Sequence, residues 1–76
     1  MTPYQNLNGD SNVVAYEIRP DGIVVMFATG QWRNYLYDNS KPGIQEVNIL
    51  KTLAIQGHGL NSRISKVTKA NYSTKW

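Results

Sequence analysis

The sequence predicts an α+β fold: a three-stranded antiparallel meander followed by two helices packed on one sheet face, in the order β-β-β-α-α. Three observations lead there. Over 13–37, apolar and β-branched residues recur at the period of two that a half-buried strand requires. Two short turn signals interrupt that stretch, and connections this short join only antiparallel neighbours. From Ile44 onward the apolar spacing becomes helical, and a glycine divides it in two.

The elements follow in order. Residues 1–11, rich in Asn, Gly and Asp, read as a flexible leader. The first strand is Val13-Val14-Ala15-Tyr16-Glu17-Ile18-Arg19, with Val14, Tyr16 and Ile18 alternating against smaller or charged residues. Pro20-Asp21-Gly22 is a turn, Pro fixing one corner and Gly accepting a positive φ. The second strand, Ile23-Val24-Val25-Met26-Phe27-Ala28, is apolar on both faces and belongs in the middle of the sheet. Thr29-Gly30 gives the next turn, and Gln31-Trp32-Arg33-Asn34-Tyr35-Leu36-Tyr37 the third strand. Its buried face is either Trp32/Leu36 or Tyr35/Tyr37.

Asp38-Asn39-Ser40-Lys41-Pro42-Gly43 breaks the sheet. Ser40 or Gly43 can cap a helix over 44–56, with Pro42 tolerated at its start. Gly57 ends it, since a left-handed terminal residue is cheap only for Gly. The second helix starts near Gly59 or Leu60, with Leu60, Ile64 and Val67 as its apolar stripe and Lys66 and Lys69 opposite. Residues 73–76 form a tail, leaving 12–72 as one domain. The expected core is Val14, Tyr16, Ile18, Ile23, Val25, Phe27, Val47, Leu50, Leu53, Leu60 and Ile64.

A 76-residue chain is the size of one domain. A chain this short buries only about 60% of its unfolded surface, so a few apolar residues must suffice. No cysteine is present, which excludes a disulfide staple, and the single His58 does not make a metal site of about four Cys/His ligands. No metal or cofactor is expected. No apolar run approaches the roughly 20 residues of a membrane span, and the polar start lacks the order of a signal peptide. The expectation is a cytoplasmic protein without membrane contact, and the sequon Asn71-Tyr72-Ser73 reads as chance.

The net charge of +3 is unevenly placed. Lys51, Arg63, Lys66, Lys69 and Lys75 lie over 51–76 without one carboxylate, while 1–50 carries an excess of acids. A field concentrated on one segment attracts polyanions. Arg63, Lys66 and Lys69 are candidate phosphate contacts. Trp32, Tyr35 and Tyr37, with Arg33 among them, hold the ingredients of a base-stacking platform. A short chain also needs such rings for its core, and a platform requires at least two of them exposed on one face.

Other candidates read as structural. His58 sits between two glycines with no neighbour to orient it as a base. Gly57-His58-Gly59 before a helix resembles an anion-binding loop, since free N–H groups at a helix start attract phosphate, but it lacks the full phosphate-loop pattern and reads as one helix ending and another beginning. Asn61 suits a capping or loop-fixing role. Asp10, Asp21 and Asp38 fall in leader or turn segments, so no carboxylate pair forms, and an enzyme is not expected.

The order of these words resembles the KTSC domain, a small module found at the C-terminus of some lysyl-tRNA synthetases and as free-standing short bacterial proteins. The resemblance spans about residues 12–72. It is carried by Asn12-Val13-Val14-Ala15-Tyr16, Ile23-Val24-Val25-Met26-Phe27, Gly30, Tyr35-Leu36-Tyr37 and the stretch Leu53-Ala54-Ile55-Gln56-Gly57-His58-Gly59-Leu60-Asn61-Ser62-Arg63-Ile64. In the last, Gly59, Leu60, Asn61 and Ile64 match the signature, with Gly57 before it, while Arg33 stands where an aromatic is expected. The resemblance implies a meander plus helices and, through a tRNA-handling enzyme, contact with nucleic acid. Two functions follow as expectations. The first is a non-catalytic module binding RNA or single strands through Arg63, Lys66, Lys69, Arg33 and Tyr35. The second is a protein-interaction or self-associating module, because Val24 and Met26 on the second sheet face need a cover.

Overall fold

The sheet has five strands where the sequence pattern predicts three. The computed structural model describes residues 1–7, 9 and 11–76; Asn8 and Asp10, both in the expected leader, lie outside the described residues. Strands β1 (Thr2–Pro3), β2 (Val13–Arg19), β3 (Gly22–Phe27), β4 (Asn34–Asp38) and β5 (Thr74–Lys75) pair in the order β1-β2-β3-β4-β5. Every pairing is antiparallel. The α+β class and its antiparallel sheet with two helical segments therefore stand, and the three-stranded meander is its centre. The added strands come from the segments expected as leader and tail. Two-residue strands carry too little periodicity to be legible, and their pairing is set by the partner they meet.

On β2 the buried residues are Val13 and Tyr16, while Val14 is 41% exposed and Ile18 is also exposed. Val13 faces Phe27 and Ala15 faces Met26, so Val14 is the extra residue of a bulge. A bulge shifts the side-chain phase by one, which exchanges the faces of Val13 and Val14. Ile18 lies beyond the reach of β1, which extends only to Thr2 opposite Tyr16.

The β2–β3 connection is the residue pair Pro20-Asp21, since Arg19 already faces Gly22. Gly22 does not adopt a positive φ. A Cβ there would stand 2.6 Å from the Tyr37 carbonyl oxygen, so glycine is needed for close approach to β4. β4 begins at Asn34, three residues later than the pattern suggests, and Trp32 and Arg33 lie in the loop.

Helix α1 (Ile44–Gln56) has the predicted bounds. Gly43 is its N-cap and Glu46 sits in its first turn, where a carboxylate is favoured. Gly57 ends it at φ +87°, its N–H donating to the Leu53 carbonyl. Helix α2 (Leu60–Arg63) then runs into five residues of π-helix, Ile64–Thr68. The wider turn places Thr68 under Ile64 and rotates Val67 outward, so Thr68 is buried and Val67 is exposed.

Both helical segments pack on one sheet face. Val47, Leu50, Ala54, Leu60 and Ile64 meet Tyr4, Val13, Tyr16, Ile23, Val25 and Tyr37 in one cluster, with Phe27, Tyr35, Leu53 and Tyr72 packed against it. The open question on β4 is thereby decided: Tyr35 and Tyr37 face the core. Leu60 has no exposed surface. Leu60→Ala is expected to destabilise the fold by about 2–5 kcal/mol in thermal melting. Val14→Ala, on the exposed side of the bulge, is expected to stay within about 1 kcal/mol of wild type.

Candidate functional site

The cationic segment is built around one internal ion pair. Arg63 leaves α2 toward α1, where its Nε and Nη2 donate to the Glu46 carboxylate at 2.8 and 2.7 Å. The Thr68 hydroxyl donates to the same carboxylate at 2.8 Å. The fork of the guanidinium matches both carboxylate oxygens, the strongest ion-pair geometry available to a side chain. The Glu46 side chain is only 16% exposed. Hydrogen bonding from Arg63 holds its carboxyl below the ordinary value of 4.5, against an opposing effect of desolvation. The π-turn is what brings Thr68 into this network, which also accounts for a buried threonine in an apolar stripe.

The expected nucleic-acid contacts are thus divided. Lys66 and Lys69 are exposed, and Arg33 is exposed in the β3–β4 loop. Arg63 is occupied by Glu46. Tyr35 lies edge-on to Phe27 and to Tyr72, with ring centroids 5.3 and 5.0 Å apart, on the core side of the sheet. Tyr37 is buried beside it, and burial, reinforced by the neighbouring tyrosines, pushes its hydroxyl above its ordinary range. Trp32 is outside the strand, so the three rings do not share an exposed face.

The motif residues Gly57, Gly59, Leu60, Asn61 and Ile64 form a second focus. Leu60 and Ile64 are core. Gly57 and Gly59 both take positive φ. The supposed leader is fastened onto them. The Leu7 N–H donates to the Gly57 carbonyl at 2.8 Å, and the Leu60 N–H to the Tyr4 hydroxyl at 3.4 Å. A Cβ on Gly57 would stand 2.7 Å from Oε1 of Gln5. α2 has no side-chain cap, so Asn61 does not cap it.

Between leader and junction lies a cleft of about 290 Å³, lined by Tyr4, Asn6, Ser11, His58, Gly59, Asn61 and Ser62. Sequence reading misses Tyr4, Asn6 and Ser11, because a non-periodic polar segment gives no signal of where it docks. Glu46 and Thr68 are missed for a related reason: their bond to Arg63 depends on how two helical segments cross.

The opposite sheet face carries no helix. By register it presents Val24, Met26, Leu36 and Asn34, and Asn34 exchanges backbone hydrogen bonds of 3.0 and 2.9 Å with Trp76. Val24 already has no exposed surface, while Trp76 is 46% exposed. Among the described residues, no group of three metal-ligating side chains comes together, and no helix is long and apolar enough to cross a membrane. No family model, curated protein or solved structure matches the chain.

A depressed carboxyl stabilises the fold above its unfolded pKa and loses that effect as pH falls through the folded one. Glu46→Gln is expected to melt several degrees below wild type at pH 7, and the gap is expected to close as pH drops below about 4. Melting curves recorded from pH 7 to pH 3 measure it; a constant gap would mean that the ion pair does not contribute.

Proposed function

We propose that the chain is a small non-catalytic module that binds RNA or single-stranded nucleic acid through its C-terminal segment. One observation carries the reading. Among the described residues the two ion pairs are Glu17–Arg19 and Glu46–Arg63, which leaves Lys66, Lys69 and Lys75 exposed on a segment without a carboxylate. Arg63 then has a positioning role, holding the lysine-bearing segment against α1. Tyr35 is set aside as a base contact because it belongs to the aromatic cluster, and Arg33 remains a flanking cation. The resemblance to the KTSC domain, with its link to a tRNA-handling enzyme, is part of the same proposal.

Three phosphate contacts imply a salt slope of about −2 for a single strand, at roughly −0.7 per contact. Affinity for a short oligonucleotide is therefore expected to fall about twentyfold between 50 and 200 mM salt. Lys66→Glu with Lys69→Glu is expected to reduce binding to background. Fluorescence anisotropy with labelled RNA and DNA oligomers reads both effects. Binding that is absent at low salt in wild type would refute the proposal.

A second reading rests on the helix-free sheet face. Ala15, Met26, Leu36 and Trp76 are among its apolar residues not fully covered, and a protein partner or a second copy would bury them. Sedimentation velocity up to high concentration is expected to show a dimer if that partner is the chain itself. A strict monomer would count against self-association.

A further inference from the structure

We infer that Trp32 and Trp76, with Arg33 beside them, form a stacking site for the unpaired bases of a single-stranded nucleic acid, at one corner of the helix-free sheet face. The inference rests on the nucleic-acid reading above. It names where the bases go, which the lysines do not decide.

Strand register brings the two indoles to one corner. The Asn34 N–H donates to the Trp76 carbonyl at 3.0 Å, and the Trp76 N–H donates back to the Asn34 carbonyl at 2.9 Å. Residues that exchange both bonds stand about 5.5 Å apart and share a sheet face. Trp76 is therefore on the face of Asn34, Met26 and Leu36. Asn34 Nδ2 donates to the same Trp76 carbonyl at 3.4 Å. Toward the loop, the Arg33 carbonyl accepts from the Phe27 N–H at 2.8 Å, so the β3–β4 ladder continues one residue beyond β4. Trp32 adjoins that last paired residue and is at most about 7 Å from Asn34 along the chain. The Cα atoms of Trp32 and Trp76 are thus no more than about 13 Å apart.

Neither ring is spent on the core. The buried apolar residues are all 8% exposed or less, whereas Trp32 is 44% and Trp76 46% exposed. Neither belongs to the core cluster or to the hydrophobics packed against it. A half-exposed indole presents a flat apolar surface that a stacked base covers.

A protein partner could cover the same rings, and charge decides between the two occupants. Arg33 is exposed and, among the described residues, has no carboxylate partner. Lys75 precedes Trp76, its Nζ 5.5 Å from the centroid of the Tyr72 ring. No Asp or Glu occurs in 28–37 or 51–76, the two segments that meet at this corner. The acids of this sheet face are engaged or distant: Glu17 is held by Arg19 at 2.8 Å, and Asp38 lies at the far end of β4. Apolar rings flanked by cations without acids fit a strand that brings bases and phosphates together. Every base has a π-face, so the site accepts single strands with little sequence preference. A duplex keeps its bases covered and does not fit.

The test is tryptophan emission of the full chain, titrated with a short oligouridylate and with an abasic oligomer carrying the same number of phosphates. Trp32 and Trp76 are the chain's two tryptophans, so emission reports on this corner alone. Saturable quenching by the oligouridylate is expected, with binding of the abasic oligomer about tenfold weaker. Trp32→Ala and Trp76→Ala are each expected to weaken oligouridylate binding about tenfold, and Trp76→Phe to retain it within about threefold. Melting curves of the variants separate these losses from unfolding. Emission that does not respond, equal affinity for the abasic oligomer, or unchanged affinity in both alanine variants would overturn the inference. Any of these with salt-dependent binding intact leaves the lysine surface standing alone, whereas no binding of either oligomer refutes both readings. If the alanine variants instead abolish a dimer seen in sedimentation and leave oligouridylate affinity unchanged, the corner is a protein contact and the inference fails.

Discussion

The conformation of Gly57 is the constraint on which most of the molecule depends. Its left-handed backbone ends α1 with one hydrogen bond to the Leu53 carbonyl and turns the chain toward α2. Its own carbonyl accepts the Leu7 N–H, and its bare Cα leaves room for Gln5. A residue with a Cβ would strain the backbone and collide with Gln5 together. Three things converge on this point: the end of the long helix, the start of the short one and the return of the N-terminal segment. Tyr4 enters the core there, and β1 is held in register beyond it.

A small chain has few apolar residues, and here they are gathered on one face of the sheet. The helices cover Ile23, Val25 and Tyr37, and the opposite face is left to Met26, Leu36 and Trp76. The C-terminal segment meets the core through Leu60, Ile64 and Tyr72, while Val67 is exposed by the π-turn. The Glu46–Arg63–Thr68 network adds a polar tie to α1. A cation that composition alone assigns to a ligand surface is thereby converted into a structural one. Lys66 and Lys69 remain exposed to solvent.

The cleft and the lysine surface have different chemistry. One is lined by polar side chains from two segments distant in the chain. The other offers mobile point charges in solvent, whose effect is long-range and weakened by salt. The lysines sit on the segment that follows α1, which Arg63 ties to α1 through Glu46.

The sequence by itself determined the α+β class, the three central strands, the bounds of α1 and its termination at Gly57. Each of these rests on local rules: a period of two, a helical period, and the backbone freedom of glycine. The core positions Ile23, Val25, Val47, Leu50, Leu60 and Ile64 were legible for the same reason. Only the tertiary structure decided the bulge that exchanges Val13 for Val14, because a one-residue shift in pairing leaves no local trace. It also decided the outer strands, which are too short to carry a pattern and form because β2 and β4 offer open edges. The faces of Tyr35 and Tyr37, the capture of Arg63 by Glu46 and the joining of Tyr4, Asn6 and Ser11 to Asn61 belong to the same class. They are contacts between residues distant in the chain, and their geometry comes from how the elements pack rather than from any segment's own preference.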